Sequence, residues 1–242
     1  MKFEKNPLTT NDHIHLLINR GLLIPDKERC HRYIKHIGYY RLSAYFLPFQ
    51  QDKNHNFKDS TSFDDILNVY IFDRKLRLLI LEVIERIEIS LRAQFIDSFC
   101  RKYGAHGYTD SELFNSKYNH QWLMSKIEKE LKRSNEAFIR HYLNKYSEPP
   151  LPPFWMIAQV LTFTELSTLI ENILDDSIPN DIAFSLDVKL PILISWLKNL
   201  AQLRNICAHH SRLWNRVFGI KPKTPKKQIE GWSGLLFDPF EA

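Results

Sequence analysis

Residues 62–102 of this 242-residue chain are SFDDILNVYIFDRKLRLLILEVIERIEISLRAQFIDSFCRK, a run with neither proline nor glycine. Apolar side chains recur in it every three or four positions, which is the period of a helix that buries one face. Ser62 is a suitable N-cap, and Asp64 and Asp65 would follow it in the first turn. Gly104 is a suitable stop. The run therefore predicts one long, largely buried helix that organises the fold.

Shorter helical patterns occupy most of the remaining chain, and only 7 residues are glycine, which disfavours a β-rich fold with many tight turns. Helices are predicted over residues 10–20, 26–36, 119–133, 134–146, 154–161, 164–174 and 180–186, and Pro191 is suited to open a last one. The aromatic segment 38–45 is predicted to be an extended connector, and the proline-rich segment 148–153 a linker. The predicted fold class is all-α.

Three parts are expected along the chain. Residues 1–61 would form an N-terminal helical region packed on the body, residues 62–218 a helical domain, and residues 219–242 a basic, mostly irregular tail.

The cysteines, Cys30, Cys100 and Cys207, are odd in number and include no CxxC pair, so neither disulfides nor a metal or other cofactor is expected. With no signal-like N-terminus and no apolar stretch long enough to span a bilayer, we expect a cytoplasmic protein.

Basic residues are concentrated near the C-terminus. Residues 188–229 hold nine Lys or Arg and no Asp or Glu, whereas the rest of the chain holds 24 basic and 28 acidic residues. Such a segment attracts polyanions, nucleic acid first and an anionic membrane second. The alternative is a solvated charged surface, although such surfaces usually mix both signs. We expect RNA as the partner, and no membrane.

The segment RNICAHHSRLWNR, residues 204–216, carries groups that suit RNA cleavage without a metal ion. A histidine can move the 2′-OH proton or protonate the leaving oxygen, and an arginine can hold two oxygens of the phosphorane. The alternative is a helix end with cationic side chains at its negative pole. Arg204 and His209 lie about 140° apart on a regular helix. Either the helix breaks near Asn205, or the two residues serve a site shared with another chain.

The longer string LRNICAHHSRLWNR, residues 203–216, resembles the Abi-like (AbiD/AbiF) family of bacterial abortive-infection, phage-resistance proteins. Four other strings resemble the same family in the same order: GYYRLS at 38–43, FDRKLR at 72–77, IERIEI at 84–89 and WLKNL at 196–200. Arg204-Asn205-x3-His209 is similar to the Arg-polar-x3-His motif of HEPN-superfamily ribonucleases. The likeness spans residues 22 to 216, with Thr164 standing where the pattern suggests glycine.

This resemblance implies an all-helical HEPN-like bundle, metal-independent RNA cleavage and a catalytic centre formed when two HEPN units pair. Arg204, Asn205 and His209 occupy the motif positions and are the expected catalytic residues. The expected RNA-binding residues are His210, Arg212, Arg216, Lys221, Lys223, Lys226 and Lys227.

Two further groups of residues each have two interpretations. Glu85, Glu88 and Arg92 share one stripe of the long helix, where they form either a structural row of ion pairs or a support for Arg204. The segment 39–41, Tyr-Tyr-Arg, suits stacking on RNA bases and suits equally a packed aromatic connector.

The function expected is that of a toxin-like, metal-independent RNA endonuclease of phage defence, acting as a homodimer. The alternative is a non-enzymatic RNA-binding or regulatory module that uses the same basic patch with a small RNA or a protein antitoxin.

Overall fold

The computed structural model describes Lys2, Glu4 and residues 6–225. Within these residues the chain forms ten α-helices, and its only β-pairings are three isolated bridges, so the all-α prediction is confirmed. The helices are α1 (Thr10–Asn19), α2 (Lys27–Ile37), α3 (Tyr39–Ser43), α4 (Phe63–Tyr103), α5 (His120–Arg133), α6 (Ala137–Lys145), α7 (Phe154–Val160), α8 (Phe163–Asn172), α9 (Ser177–Ser185) and α10 (Leu190–Ala208).

Helix α4 begins and ends at the residues that the sequence suggests. The backbone N–H of Asp65 donates to the Ser62 hydroxyl, and the backbone N–H of Ser62 donates to the Asp65 carboxylate, which satisfies donors that a helix start leaves unpaired. After Tyr103 the chain reverses at Gly104, whose φ of 75° is strained for any residue with a Cβ. Local chemistry at both ends therefore determines the length of this helix.

The prediction of an extended segment at 38–45 is wrong, because residues Tyr39–Ser43 form α3. Gly38 has a φ of 90°, which ends α2 and lets the chain begin a new helix at once. The backbone N–H of Leu42 donates to the Gly38 carbonyl, and the Leu42 side chain is fully buried. A helix this short is not stable by itself, so tertiary burial of Leu42 is its physical cause.

The chain divides into two compact units, with divisions inside α4 after Leu81, inside α10 after Asn205, and after Val217. The three parts expected from the sequence, 1–61, 62–218 and 219–242, stay a prediction. The first unit contains residues up to Leu81 and the segment Ile206–Val217. Its core is built from α1–α3 and the first half of α4, and includes Leu17, Phe46 and Leu67.

The second unit contains residues 82–205 and the described part of the tail, 218–225. Its core includes the aromatic side chains of Phe95, Phe99 and Phe154, with 4.9 Å between the ring centroids of the last two. The tail residues 219–225 contain no helix. None of the helices in the described part of the chain has the length and hydropathy to span a membrane.

Candidate active site

Helix α10 does not break near Asn205 but continues to Ala208, and a Schellman turn ends it. The backbone N–H of Ser211 donates to the Ile206 carbonyl, and that of His210 donates to the Cys207 carbonyl, each at 3.0 Å. His209 is thus the first residue past the helix. Its side chain is exposed and forms no hydrogen bond with any described residue, so the imidazole is available to a substrate.

The turn after α10 contains a histidine where glycine is the usual residue. His210 has a φ of 56°, a left-handed conformation that costs a non-glycine residue roughly 1–2 kcal/mol. The guanidinium of Arg41 donates to the His210 carbonyl at 2.5 Å, and that of Arg77 donates to the Ser211 carbonyl at 3.4 Å. Two arginines from α3 and α4 therefore hold the backbone that follows His209.

A buried carboxylate holds the next residues of this segment. Asp73 has no exposed surface and accepts hydrogen bonds from the backbone N–H groups of Leu213 and Trp214, the shorter at 2.6 Å. It also forms an ion pair with Arg77 and accepts the Tyr45 hydroxyl at 2.5 Å. Burial and this hydrogen bond raise the pKa of Tyr45 to about 12, so its hydroxyl remains a donor. Together with the Arg77 contact to Ser211, this network holds the backbone of residues 211–214 in place within the first unit.

The second unit holds Arg204 through an acidic neighbour on α4. The Arg204 Nε lies 3.9 Å from Glu88 Oε2, while Arg92 Nη2 lies 2.7 Å from Glu88 Oε1. Arg92 is itself buried and donates to the backbone carbonyls of Ala158 and Leu161. Glu88 is therefore oriented by a buried arginine and lies beside the motif arginine; its supporting role stays a prediction. The Arg204 side chain is 36% exposed beside this carboxylate.

Glu85 does not take part in this arrangement. It is exposed and has no ion pair or hydrogen bond within the described residues, whereas Glu88 is only 17% exposed at its side chain. The two glutamates share a stripe of α4 in the sequence pattern, but their side chains have different environments.

Asn205 is held by the residue at which the chain departs from the family pattern. Its Nδ2 donates to the Thr164 hydroxyl at 3.2 Å, and its Oδ1 accepts from Arg204 Nη1 at 3.5 Å. Thr164 lies in the first turn of α8, which begins with a capping box between Thr162 and Glu165. Because the cap orients this turn, it also orients the hydroxyl that Asn205 meets. The glycine suggested by the family pattern would lack that hydroxyl.

The surroundings of Cys207 disfavour its reactive thiolate form. The residue is buried on α10, and burial is the largest of the influences that raise the pKa of its thiol. Within residues 6–225, no three His, Cys, Asp or Glu side chains lie together in a way that suits a metal ion.

The predicted RNA-binding residues are partly on the surface of the first unit and partly in the tail. Arg216 is exposed and donates to the Arg212 carbonyl at 3.3 Å. The exposed Lys221 and Lys223 belong to the second unit, where the Lys223 backbone N–H donates to the Ser195 hydroxyl at 2.9 Å. Lys226 and Lys227 lie outside the described residues.

Acidic residues distant in sequence lie beside two cations of the basic segment. Lys198 forms an ion pair with Glu171 at 2.5 Å, and Arg204 lies beside Glu88. Lys189, Arg212, Arg216, Lys221 and Lys223 have no ion pair within the described residues.

Sequence reasoning missed that Asp73, Arg77 and Arg41 hold the segment after His209. In the sequence, Asp73 and Arg77 indicate only an i,i+4 ion pair on a helix. Their place on the buried stripe with Ile66 and Ile84 was the available signal, because a charged pair on an apolar stripe must find partners inside the protein.

The family described as Abi-like protein matches the chain over residues 32–215. No curated protein and no solved structure matches it. The family match covers the segment Leu190–Ala208, the turn that follows it, and every residue that holds them as described above.

Proposed function

This chain belongs to the Abi-like protein family, and from that premise we propose that it is a metal-independent RNA endonuclease of abortive-infection phage defence. The observation that carries the proposal is the double support of the motif. Arg204 and Asn205 are held by Glu88 and Thr164, and the turn after His209 is held by Arg41. Supports of this kind are typical of groups whose position matters for chemistry.

The proposed reaction needs only groups that this motif contains. The 2′-OH attacks the adjacent phosphorus and loses its proton, the bond from phosphorus to the 5′-oxygen breaks, and the leaving oxygen gains a proton. The products are a 2′,3′-cyclic phosphate and a 5′-OH. In this reaction the exposed imidazole of His209 transfers protons, and Arg204 stabilises the charged phosphorane. Asn205 accepts a hydrogen bond from Arg204 and orients its guanidinium.

We propose further that the active form is a homodimer. One motif supplies one arginine and one motif histidine, whereas the reaction needs both a base and an acid. A two-fold axis would double these groups by bringing the same segment of each chain together. Phe72 and Leu79 support this proposal, since they lie seven residues apart on one side of α4 and are 53% and 60% exposed. The occupant proposed for this apolar surface is a second copy of the chain.

The second candidate is a non-enzymatic RNA-binding or regulatory module. It is favoured by the cations without an ion pair, Lys189, Arg212, Arg216, Lys221 and Lys223, because these bind an RNA backbone whether or not it is cut. A small RNA or a protein antitoxin would then be the partner.

Cleavage in the presence of excess EDTA distinguishes the two functions. Purified full-length protein is incubated with total RNA, and the ends of the fragments are mapped. The proposed nuclease gives cyclic or 3′-phosphate ends, and the variant His209→Ala abolishes them while RNA affinity persists. His141→Ala, which removes an exposed histidine of α6, is the matched control and keeps activity. Fragments with 5′-phosphate ends that form only with Mg²⁺ would contradict the proposed mechanism.

A further inference from the structure

Two adjacent tyrosines of α3 have opposite environments. The Tyr39 ring stacks on His13, with 4.0 Å between centroids and 5° between planes, and its hydroxyl accepts from Arg20 at 3.2 Å. Tyr40, in contrast, is 91% exposed. Packing therefore explains Tyr39, in agreement with the connector interpretation, but it does not explain the aromatic ring of Tyr40.

The next residue ties this exposed ring to the candidate site. Arg41 donates to the His210 carbonyl at 2.5 Å, and Tyr40 precedes it on the same helix. Adjacent Cα atoms are about 3.8 Å apart, so the backbone that carries the Tyr40 ring is next to the residue that holds the motif turn. The Ser43 hydroxyl donates to the Tyr40 carbonyl at 2.8 Å, which holds the short helix in shape. The ring is thus presented by a fixed backbone.

Cations without acidic partners precede this ring on α2. Lys27, Arg32 and Lys35 are exposed and have no ion pair among the described residues, and Glu28 is the one acidic residue of the helix. Arg32 and His36 line an open groove of about 360 Å³ together with Tyr33. The arrangement of a basic helix followed by an exposed ring suits a polyanion that also carries flat bases.

We propose that Tyr40 is a base-stacking residue for unpaired RNA, whose backbone is held by Arg32 and Lys35 of α2. This inference rests on the proposed function for the RNA, and it deepens that function by naming single-stranded RNA as the substrate class. In an RNA duplex the bases stack on one another and their faces are not accessible to a side chain. An exposed tyrosine ring selects bases that are unpaired, and does so with little preference for sequence because every base has a flat face.

Binding is measured separately from cleavage so that the two proposals can fail independently. The full-length protein carries His209→Ala to prevent cleavage, and its dissociation constants are measured for a fluorescent oligouridine and for an RNA duplex of equal length. Three variants are compared in this background: Tyr40→Ala, Tyr40→Phe, and the matched control Phe184→Ala. Phe184 is 84% exposed and lies on α9, in the second unit.

We expect Tyr40→Ala to weaken oligouridine binding about tenfold, in line with the loss of one stacked base. Tyr40→Phe keeps the ring and should retain affinity, as should Phe184→Ala, and duplex binding should be unchanged in all three. Unchanged oligouridine binding in Tyr40→Ala, equal weakening for the duplex, or no oligouridine binding by the parent protein would each overturn the inference. If the stacking result holds while protein with His209 intact cuts no RNA, the nuclease proposal fails and the binding site stands.

Discussion

Replacement of Asp73 by alanine should destabilise the first unit more than any surface change on α4. The carboxylate is completely buried, and its removal leaves the Arg77 side chain, 6% exposed, without its counter-charge. It also leaves the backbone N–H groups of Leu213 and Trp214 without their acceptor. Breaking a buried ion pair from one side costs about 3–5 kcal/mol.

The assay is urea unfolding followed by tryptophan fluorescence, because Trp214 packs against the core of the first unit. Glu82→Ala is the matched control, since Glu82 and Arg86 form an ion pair of the same i,i+4 spacing on the same helix but are exposed. An exposed pair contributes about 0.5 kcal/mol or less. A loss of 4 kcal/mol corresponds to roughly 10 °C in Tm for a protein of this size.

The double variant Asp73→Ala/Arg77→Met tests the cause. Removing both charges eliminates the uncompensated guanidinium, so the double variant should lose less stability than Asp73→Ala alone. The reasoning is refuted if Asp73→Ala destabilises no more than Glu82→Ala, or if the double variant is the less stable of the two.

Three other expectations concern the motif, the dimer and pH. Glu88→Gln should lower kcat for RNA cleavage about tenfold or more with little change in RNA affinity, because Arg204 loses its charged neighbour. Leu79→Glu should yield a monomer in size-exclusion chromatography with light scattering, and the monomer should be inactive. Burial beneath the stack with Tyr39 lowers the pKa of His13 from its ordinary value of 6.5. Stability that is present above pH 6.5 is therefore lost as the pH falls through the folded-state pKa, and His13→Phe should flatten that loss in urea unfolding.

Each of these expectations has its own control. Glu85→Gln should leave kcat unchanged, because Glu85 is exposed and has no ion pair among the described residues; an equal effect of both glutamines would contradict the supporting role of Glu88. Leu174→Glu alters another exposed leucine and should leave the oligomeric state intact. A fully active Leu79→Glu monomer would exclude a site composed of two chains. If the free energy of unfolding depends on pH identically in wild type and His13→Phe, His13 is not the cause of the stability loss at low pH.

Local chemistry made much of the fold predictable. Helix α4 was bounded within one residue at each end, because Ser62 and Gly104 act through bonds to their immediate neighbours. The helices predicted over 26–36 and 119–133 also agree with α2 and α5 to within one residue, where Asp26 and Asn119 cap the N-termini. The short helix α3 was missed because burial of Leu42 stabilises it, and burial is not a property of a five-residue window.

The sequence by itself determined the all-α class, the long helix and the position of the Arg204–His209 motif, since each depends on residues that are close in the chain. Only the tertiary structure decided which residues hold that motif. Asp73 and Arg77 meet residues 211–214 across more than 130 positions of sequence, and Thr164 meets Asn205 across 41. It also decided which cations have an acidic neighbour, because the glutamates beside Lys198 and Arg204 come from other helices. Such contacts depend on how the helices pack, and side-chain packing is determined by the whole core rather than by any local pattern.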